Sequence, residues 1–491
     1  MTTRRSSRRR VEFGDWQTPV ALARRVVALL AAQGVEPGTV VEPTCGDGSF
    51  LVAAAERWPQ ADAWGYDVDP THVAHARAAL PQARIERADF FGVSWEAVLR
   101  PARAPVLILG NPPWVTSAEL GALGSHNLPR KDNPGRLTGL DAITGRANFD
   151  VSEWMLLRLL EALDGVDFTL AMLCKAIVAR RMMEHVARAR WPLAGVLHDI
   201  DAMMHFGAAV DAVLLTVRSE PGAASSRELR WPRHASLESP TPSTILGVTG
   251  QTVTCDADAF ERTRHLQGQC EPQWRSGLKH DCASVMELQI RDERLVDRSG
   301  APVDLEDDYL FPLLKGSDVA NRRWPPSRCV LVPQQALGDD TWAIAGNAPR
   351  TWAYLQAHRA ELDGRKSSIY RGQPPFAVFG VGTYAFAPWK IAIAGLYKRL
   401  TFSLVGPHLG KPVVFDDTTY FLPFGDEASA RQALAALRSP EAAEFFAARV
   451  FWDDKRPINK RVLQSLDLAA LQRRLGLAAR PRERAWGQAA P

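Results

Sequence analysis

Between residues 18 and 217, short apolar runs alternate with amphipathic stretches, and this alternation restricts the fold more than any other feature of the chain. Thr18 and Pro19 read as an N-cap followed by a first-turn proline; Leu22, Val26, Leu29 and Leu30 recur at helical spacing, and Gly34 ends the segment. Residues 39–41, 63–66, 83–85, 106–109, 168–173 and 210–217 read as strands, and residues 50–58, 72–80 and 151–163 as helices. Strands that alternate with helices predict an α/β fold of Rossmann-like, doubly wound type with a parallel sheet.

The chain has 491 residues, a length for two or three domains. Hydrophobic residues make up 46% and charged residues 23%, so large cores can form. No apolar run is long enough for a membrane helix and the start lacks a secretion signal, so a cytoplasmic protein without membrane contact is expected. The six cysteines form no C-x-x-C pair, which suits a reducing compartment and argues against structural zinc. His280 and Cys282 in KHDC are two ligand types with no second half, so no metal is expected.

The composition divides the chain. Residues 1–11 are a basic arm carrying Arg4, Arg5, Arg8, Arg9 and Arg10. Residues 12–217 form the α/β domain. Residues 218–245 are rich in Ser, Pro and Gly, and read as a linker. Residues 246–475 mix short β-like runs, such as 329–332 and 412–415, with helical patches, such as 430–437, and suggest an α+β domain. Residues 476–491 are a tail. A monomer is expected.

The chemistry starts at EPTCGDGSFL, where a strand breaks into a glycine-rich turn that lets backbone approach a ligand. Asp67 ends the next strand, placed to grip ribose hydroxyls, and Asp89 ends the one after, placed to meet an adenine amino group. Three such features at successive strand ends converge on one crevice and point to a nucleoside cofactor. No phosphate-binding lysine motif or full dinucleotide glycine pattern is present, while Glu42 and Asp47 suit a cationic amine. S-adenosylmethionine has the required amine, ribose and adenine, and no phosphate.

The run VLILG then enters Asn111-Pro112-Pro113-Trp114. Two prolines forbid further ladder bonds, so the chain must leave the sheet at once. The Asn111 amide oxygen and the Pro112 carbonyl can accept both hydrogens of a planar amino group, and Trp114 can stack on the ring bearing it. Such a clamp bares the nitrogen lone pair by positioning and electrostatics, without a general base.

In this order of parts (Gln17-Thr18-Pro19, EPTCGDGSF, GYDVDP, ADFF, NPPW) the first half resembles the γ group of DNA N6-adenine methyltransferases, of the TaqI-like type. The resemblance implies that Thr18, Glu42, Pro43, Gly46, Gly48, Asp67, Asp89, Phe90 and Asn111 contact S-adenosylmethionine. It also implies that Asn111, Pro112 and Pro113 form the clamp, that Trp114 stacks on the target adenine, and that Phe206 in DAMMHFGAAVDAVLLTV stacks on its outer side. Two departures stand out. The family usually has Tyr or Phe where Trp114 stands, and Cys174-Lys175 occupies a place where Pro often follows the fifth strand.

The clamp alone fits any planar amine, and the rest of the chain favours double-stranded DNA. The stretch after Trp114 is long, glycine-rich and basic, with Arg130, Lys131, Arg136 and Arg146. Cations with interleaved aromatics recur at Arg365, Lys366, Tyr370 and Arg371; at Trp389, Lys390, Tyr397, Lys398 and Arg399; and at Lys455, Arg456, Lys460 and Arg461. YLFPLLKGSDV and YAFAPWKIAIAGLY resemble, more loosely, the C-terminal specificity domains of TaqI-like methylases, implying a target-recognition domain over 246–475. The expected activity is sequence-specific methylation of adenine N6 on a flipped base, in restriction-modification or phage defence, with a separate restriction endonuclease as a possible partner. The alternatives are an RNA or other exocyclic-amine methyltransferase, or a catalytically inactive DNA-binding subunit of a defence complex.

Overall fold

A computed structural model describes residues 17–116, 150–220, 228–250, 252–292 and 294–477. The basic arm, the stretch with Arg130, Lys131, Arg136 and Arg146, and the tail from residue 478 lie outside the described residues. The chain divides into two compact units, Met1–Ala257 and Asp258–Pro491.

The first unit is built on one ten-stranded sheet. In chain order its strands are β1 (Thr39–Glu42), β2 (Asp62–Asp67), β3 (Arg84–Arg87), β4 (Val106–Gly110), β5 (Phe168–Lys175), β6 (Leu193–Ile200), β7 (Ala212–Ser219), β8 (Leu229–His234), β9 (Thr244–Thr249) and β10 (Thr252–Thr254). They lie side by side as β10-β9-β8-β6-β7-β5-β4-β1-β2-β3. From β3 to β5 the pairings are parallel. From β1 the chain goes one way to β2 and β3 and the other way to β4 and β5, so the carboxyl ends of β1 and β4 flank a topological switch point, the usual place for a ligand crevice.

Helices cover both faces. Strand β4 shows why the run is apolar throughout: Val106 and Ile108 enter one core, and Leu107 and Leu109 the other. The first core is closed by α4 (Trp95–Leu99), α5 (Val151–Ala162) and α6 (Ala176–Ala189), and the second by α1 (Val20–Ala32), α2 (Ser49–Arg57) and α3 (Pro70–Ala79). All four β4 side chains are fully buried, each worth about 2 kcal/mol, which makes the strand a stiff mount for the Asn111-Pro112-Pro113-Trp114 segment at its carboxyl end.

Three expectations change. The sheet is not wholly parallel: β7 runs antiparallel between β5 and β6. A short connection joins β6 to β7, too short for a crossover, so the two strands must oppose each other. Residues 218–245 are not simply a linker, because β8 lies within them and pairs with β6, and β9, which begins at Thr244, pairs with β8 to extend the sheet. Trp231 of β8 lies over Gly195 of β6, where a Cβ would stand 2.3 Å from the indole ring. The unit boundary accordingly falls after residue 257. Thr18 is not an N-cap either: α1 starts at Val20 after Pro19 and has no side-chain cap.

The second unit is α+β. It holds a four-stranded antiparallel sheet, ordered β11 (Arg275–Ser276), β19 (Thr419–Phe424), β16 (Trp389–Ala394) and β17 (Ser403–Val405). A five-stranded sheet is ordered β13 (Arg294–Val296), β12 (Glu287–Arg291), β15 (Arg328–Leu331), β14 (Leu310–Leu314) and β18 (Val414–Phe415). Of the cations placed by sequence in basic-aromatic clusters, Lys390 is buried and Arg365 half-buried. Lys390 donates to the carbonyls of Ala387 and Val413 at 2.6 and 2.7 Å. Arg365 donates to the carbonyls of Leu362, His280 and Ala377 and lies 3.7 Å over the Tyr370 ring. Lys366, Arg371, Lys398, Lys455, Lys460 and Arg461 are exposed. Among the described residues, no helix is long and apolar enough to cross a membrane.

Candidate cofactor and target-base site

At the carboxyl ends of β1, β2 and β4 the first unit encloses a cavity of about 270 Å³. Its wall includes Thr18, Glu42, Pro43, Gly46, Asp67, Asp89, Phe90, Asn111 and Pro113, which the sequence places there from five separate segments. Gln17, His72, Val151 and Met155 also line it, and sequence reasoning gave them no role.

The turn after β1 is held in shape from two sides. Gly46 and Gly48 have φ of +50° and +84°. The Gly46 N–H donates to Asp67 Oδ2 at 2.8 Å, and the Asp69 N–H to Asp67 Oδ1 at 2.8 Å. Asp67 therefore braces the turn as well as facing the cavity. Gln17 Oε1 accepts the Asp47 N–H at 3.0 Å and lies so close to Gly46 that a Cβ there would stand 2.4 Å from it. Gly48 does not line the cavity, contrary to its expected cofactor contact; its Cβ position faces Ala76 of α3 at 3.2 Å, so it serves helix packing.

Glu42 carries the strongest electrostatic signal. Burial pushes its carboxyl well above the usual carboxylate range; the Leu51 backbone N–H at the start of α2 opposes this, and the neighbouring Asp67 adds to it. Its Oε2 is buried without a hydrogen-bond partner. An acidic oxygen of this kind, in a cavity, matches a ligand ammonium, and the glycine turn and Asp89 match the rest of S-adenosylmethionine. Burial raises Asp67 as well, against the two N–H groups it accepts. Asp89 Oδ1 accepts the Phe91 N–H at 3.0 Å, which orients the short helical turn carrying Phe90.

The segment leaving β4 is tied down at several points. The Trp114 indole N–H donates to the Leu173 carbonyl at 3.3 Å, and the Val151 N–H donates to the Val115 carbonyl at 2.9 Å. Thr116 forms a bridge with Asp150. Asp150 also caps α5 and pairs with Lys175 Nζ at 2.8 Å, so the lysine that departs from the family pattern holds this exit. Phe206 ends the five-residue α7 (Ala202–Phe206), and its ring meets Trp114 edge to face with centroids 5.2 Å apart. Both are buried, and neither lines the cavity. A base between two rings needs roughly 7 Å, twice the ~3.4 Å step of stacked bases. The expected sandwich is thus closed: the rings are each other's packing partners. In the second unit, His280 pairs with Glu287 at 3.3 Å and its Nδ1 accepts the Cys282 N–H at 3.3 Å.

The sheet order, with a cavity at its switch point, is that of the Rossmann-like S-adenosylmethionine-dependent methyltransferase fold. No protein-family model matches the chain. The chain is 41% identical over 471 residues to the type II methyltransferase M.NspV of Nostoc sp., covering 94% of this chain and 97% of that protein. It is 37% identical over 117 residues to the type II methyltransferase M.TthHB8I of Thermus thermophilus, 24% of each chain. Among solved structures, it superposes with a TM-score of 0.54 and 15% identity on the type IIL restriction-modification enzyme MmeI in complex with DNA, over 93% of this chain and 64% of that one, a likeness of fold. The chain belongs to the type II methyltransferases, the DNA methyltransferases of restriction-modification systems, and its cofactor is S-adenosylmethionine.

Proposed function

We propose that the protein methylates the N6 amino group of an adenine turned out of double-stranded DNA, as a modification enzyme of the TaqI-like γ group. One observation carries this reading: Asn111 and Pro113, at the end of β4, share a cavity wall with Glu42, Asp67 and Asp89. Glu42 takes the cofactor ammonium, Asp67 the ribose and Asp89 the adenine amino group, with Thr18, Pro43, Gly46 and Phe90 enclosing them. S-adenosylmethionine supplies the electrophilic methyl group when bound.

The Asn111 amide oxygen and the Pro112 carbonyl accept the two hydrogens of the target amine. This reduces conjugation of nitrogen with the ring and aims its lone pair at the methyl carbon. The amine so held would take the methyl group that the bound cofactor supplies, and the N–H proton made acidic by that transfer would pass to water. Trp114 and Phe206 part to receive the base, and their mutual contact closes the slot between turnovers. A cytosine N4 enzyme would favour Ser or Asp before the Pro-Pro pair, and Asn111 supports adenine. The second unit reads the sequence, and the protein works as a cytoplasmic monomer beside a separate endonuclease.

The test is nucleoside mass spectrometry of DNA from a methylation-deficient host expressing the protein. N6-methyladenine is the expected product. N4-methylcytosine, or no methylated base in DNA while RNA is labelled, would overturn the reading.

A further inference from the structure

Among the described residues, one group of three His, Cys or carboxylate side chains brings its ligand atoms together: Asp47, His72 and His75, all within 4.8 Å of one another. Asp47 comes from the glycine turn after β1. His72 and His75 lie three residues apart on α3 and so share one face of that helix. Both rings point Nδ1 at one oxygen: His72 Nδ1 is 2.8 Å and His75 Nδ1 2.9 Å from Asp47 Oδ1.

The donor set and its spacing fit a metal ion. Zinc binds imidazole nitrogen and carboxylate oxygen at about 2.0–2.2 Å, so tetrahedral ligand atoms stand roughly 3.4 Å apart. Opening the Asp47 contacts by roughly half an ångström, a shift small enough for side chains to supply, would admit the ion. The side chains are 42%, 20% and 62% exposed for Asp47, His72 and His75, so an ion reaches them from solvent and keeps a fourth position open. Outer support is present too. Gln17 Nε2 lies 3.4 Å from the far nitrogen of His72 while Gln17 Oε1 holds the Asp47 N–H, so one residue orients both a ring and the turn.

We propose that Asp47, His72 and His75 form a binding site for one first-row transition-metal dication, with zinc as the best match, at the rim of the cofactor cavity. A bound ion ties α3 to the glycine turn, and because His72 and Gln17 also line the cavity, it braces the wall that faces the cofactor.

The test uses full-length, untagged protein freed of metal by a chelator. Cobalt(II), a spectroscopic stand-in for zinc, is titrated while visible absorption is recorded, and zinc is then added as competitor. The expected result is one equivalent of cobalt with a visible band that zinc abolishes. His75→Ala weakens binding at least tenfold, whereas His265→Ala, an exposed histidine of the second unit, leaves it unchanged. Saturating zinc is expected to raise the melting temperature of wild type and His265→Ala but not of His75→Ala. Equal cobalt binding by wild type and His75→Ala, or no zinc-sensitive band, would overturn the site and leave the cluster as a carboxylate hydrogen-bonded to two imidazoles.

Discussion

The indole of Trp114 and the phenyl ring of Phe206 meet edge to face, with centroids 5.2 Å apart and planes at 75°. The two sides of this contact are unequal. Trp114 is pinned to β5 through the Leu173 carbonyl, whereas Phe206 ends a five-residue helix next to Met203 and Met204, which are 56% and 74% exposed. In the proposed mechanism Phe206 is therefore the wall that moves when a base enters.

Phe206→Leu keeps apolar volume in the core and removes the ring face. Base–aromatic stacking is worth about 1–3 kcal/mol, so turnover is expected to fall roughly 10- to 100-fold. DNA carrying 2-aminopurine at the target position should show a smaller fluorescence change on binding than with wild type. Unchanged turnover and fluorescence would make Phe206 a packing residue alone.

Glu42→Gln separates folding from cofactor binding. A carboxyl with a raised folded-state value keeps its proton in the fold after the unfolded chain has lost it. Stability then falls as pH rises from about 4.5, the ordinary value, towards the raised one. The variant lacks this loss, so the stability of its cofactor-free form should gain on wild type as pH rises through that window, in thermal scans. Its affinity for S-adenosylmethionine should drop roughly 10- to 100-fold, the size of a charge-assisted hydrogen bond of about 1.5–3 kcal/mol. Calorimetry in two buffers should also show proton release on cofactor binding by wild type and none by the variant.

Gly46→Ala and Gly34→Ala form a matched pair. Both sites have positive φ, +50° and +81°, and each substitution should cost about 1–2 kcal/mol of stability for that reason. Only at Gly46 does the new Cβ meet a neighbour, Gln17, and only there does the backbone N–H bind Asp67. Calorimetry should find weakened S-adenosylmethionine binding for Gly46→Ala and wild-type affinity for Gly34→Ala. Equal affinity in both would remove the turn from the cofactor site.

Much of the first unit was legible because its signals are local. A four-residue apolar run stopped by two prolines can only be a buried strand with an abrupt exit, and a glycine turn between strand and helix marks a close approach. The features that escaped a linear reading depend on partners far along the chain. β8 joins the sheet because Trp231 fills the space above Gly195, a match of one large and one absent side chain that no periodicity announces. Lys390 and Arg365 look like surface cations in sequence, yet their charges point inward to backbone carbonyls. The mutual contact of Trp114 and Phe206 and the convergence of Asp47 with His72 and His75 likewise arise only once separate segments are folded together.

The central claim is that Asn111 holds the target amine, while Glu42 and the glycine turn hold the cofactor. Single-turnover methyl transfer to DNA and S-adenosylmethionine affinity, measured together for Asn111→Ala, test it most directly. The account predicts that methyl transfer falls by at least a thousandfold, about 4 kcal/mol of lost transition-state stabilisation, with cofactor affinity within about threefold of wild type. Methyl transfer near the wild-type rate, or loss of cofactor binding in parallel with loss of transfer, would contradict it.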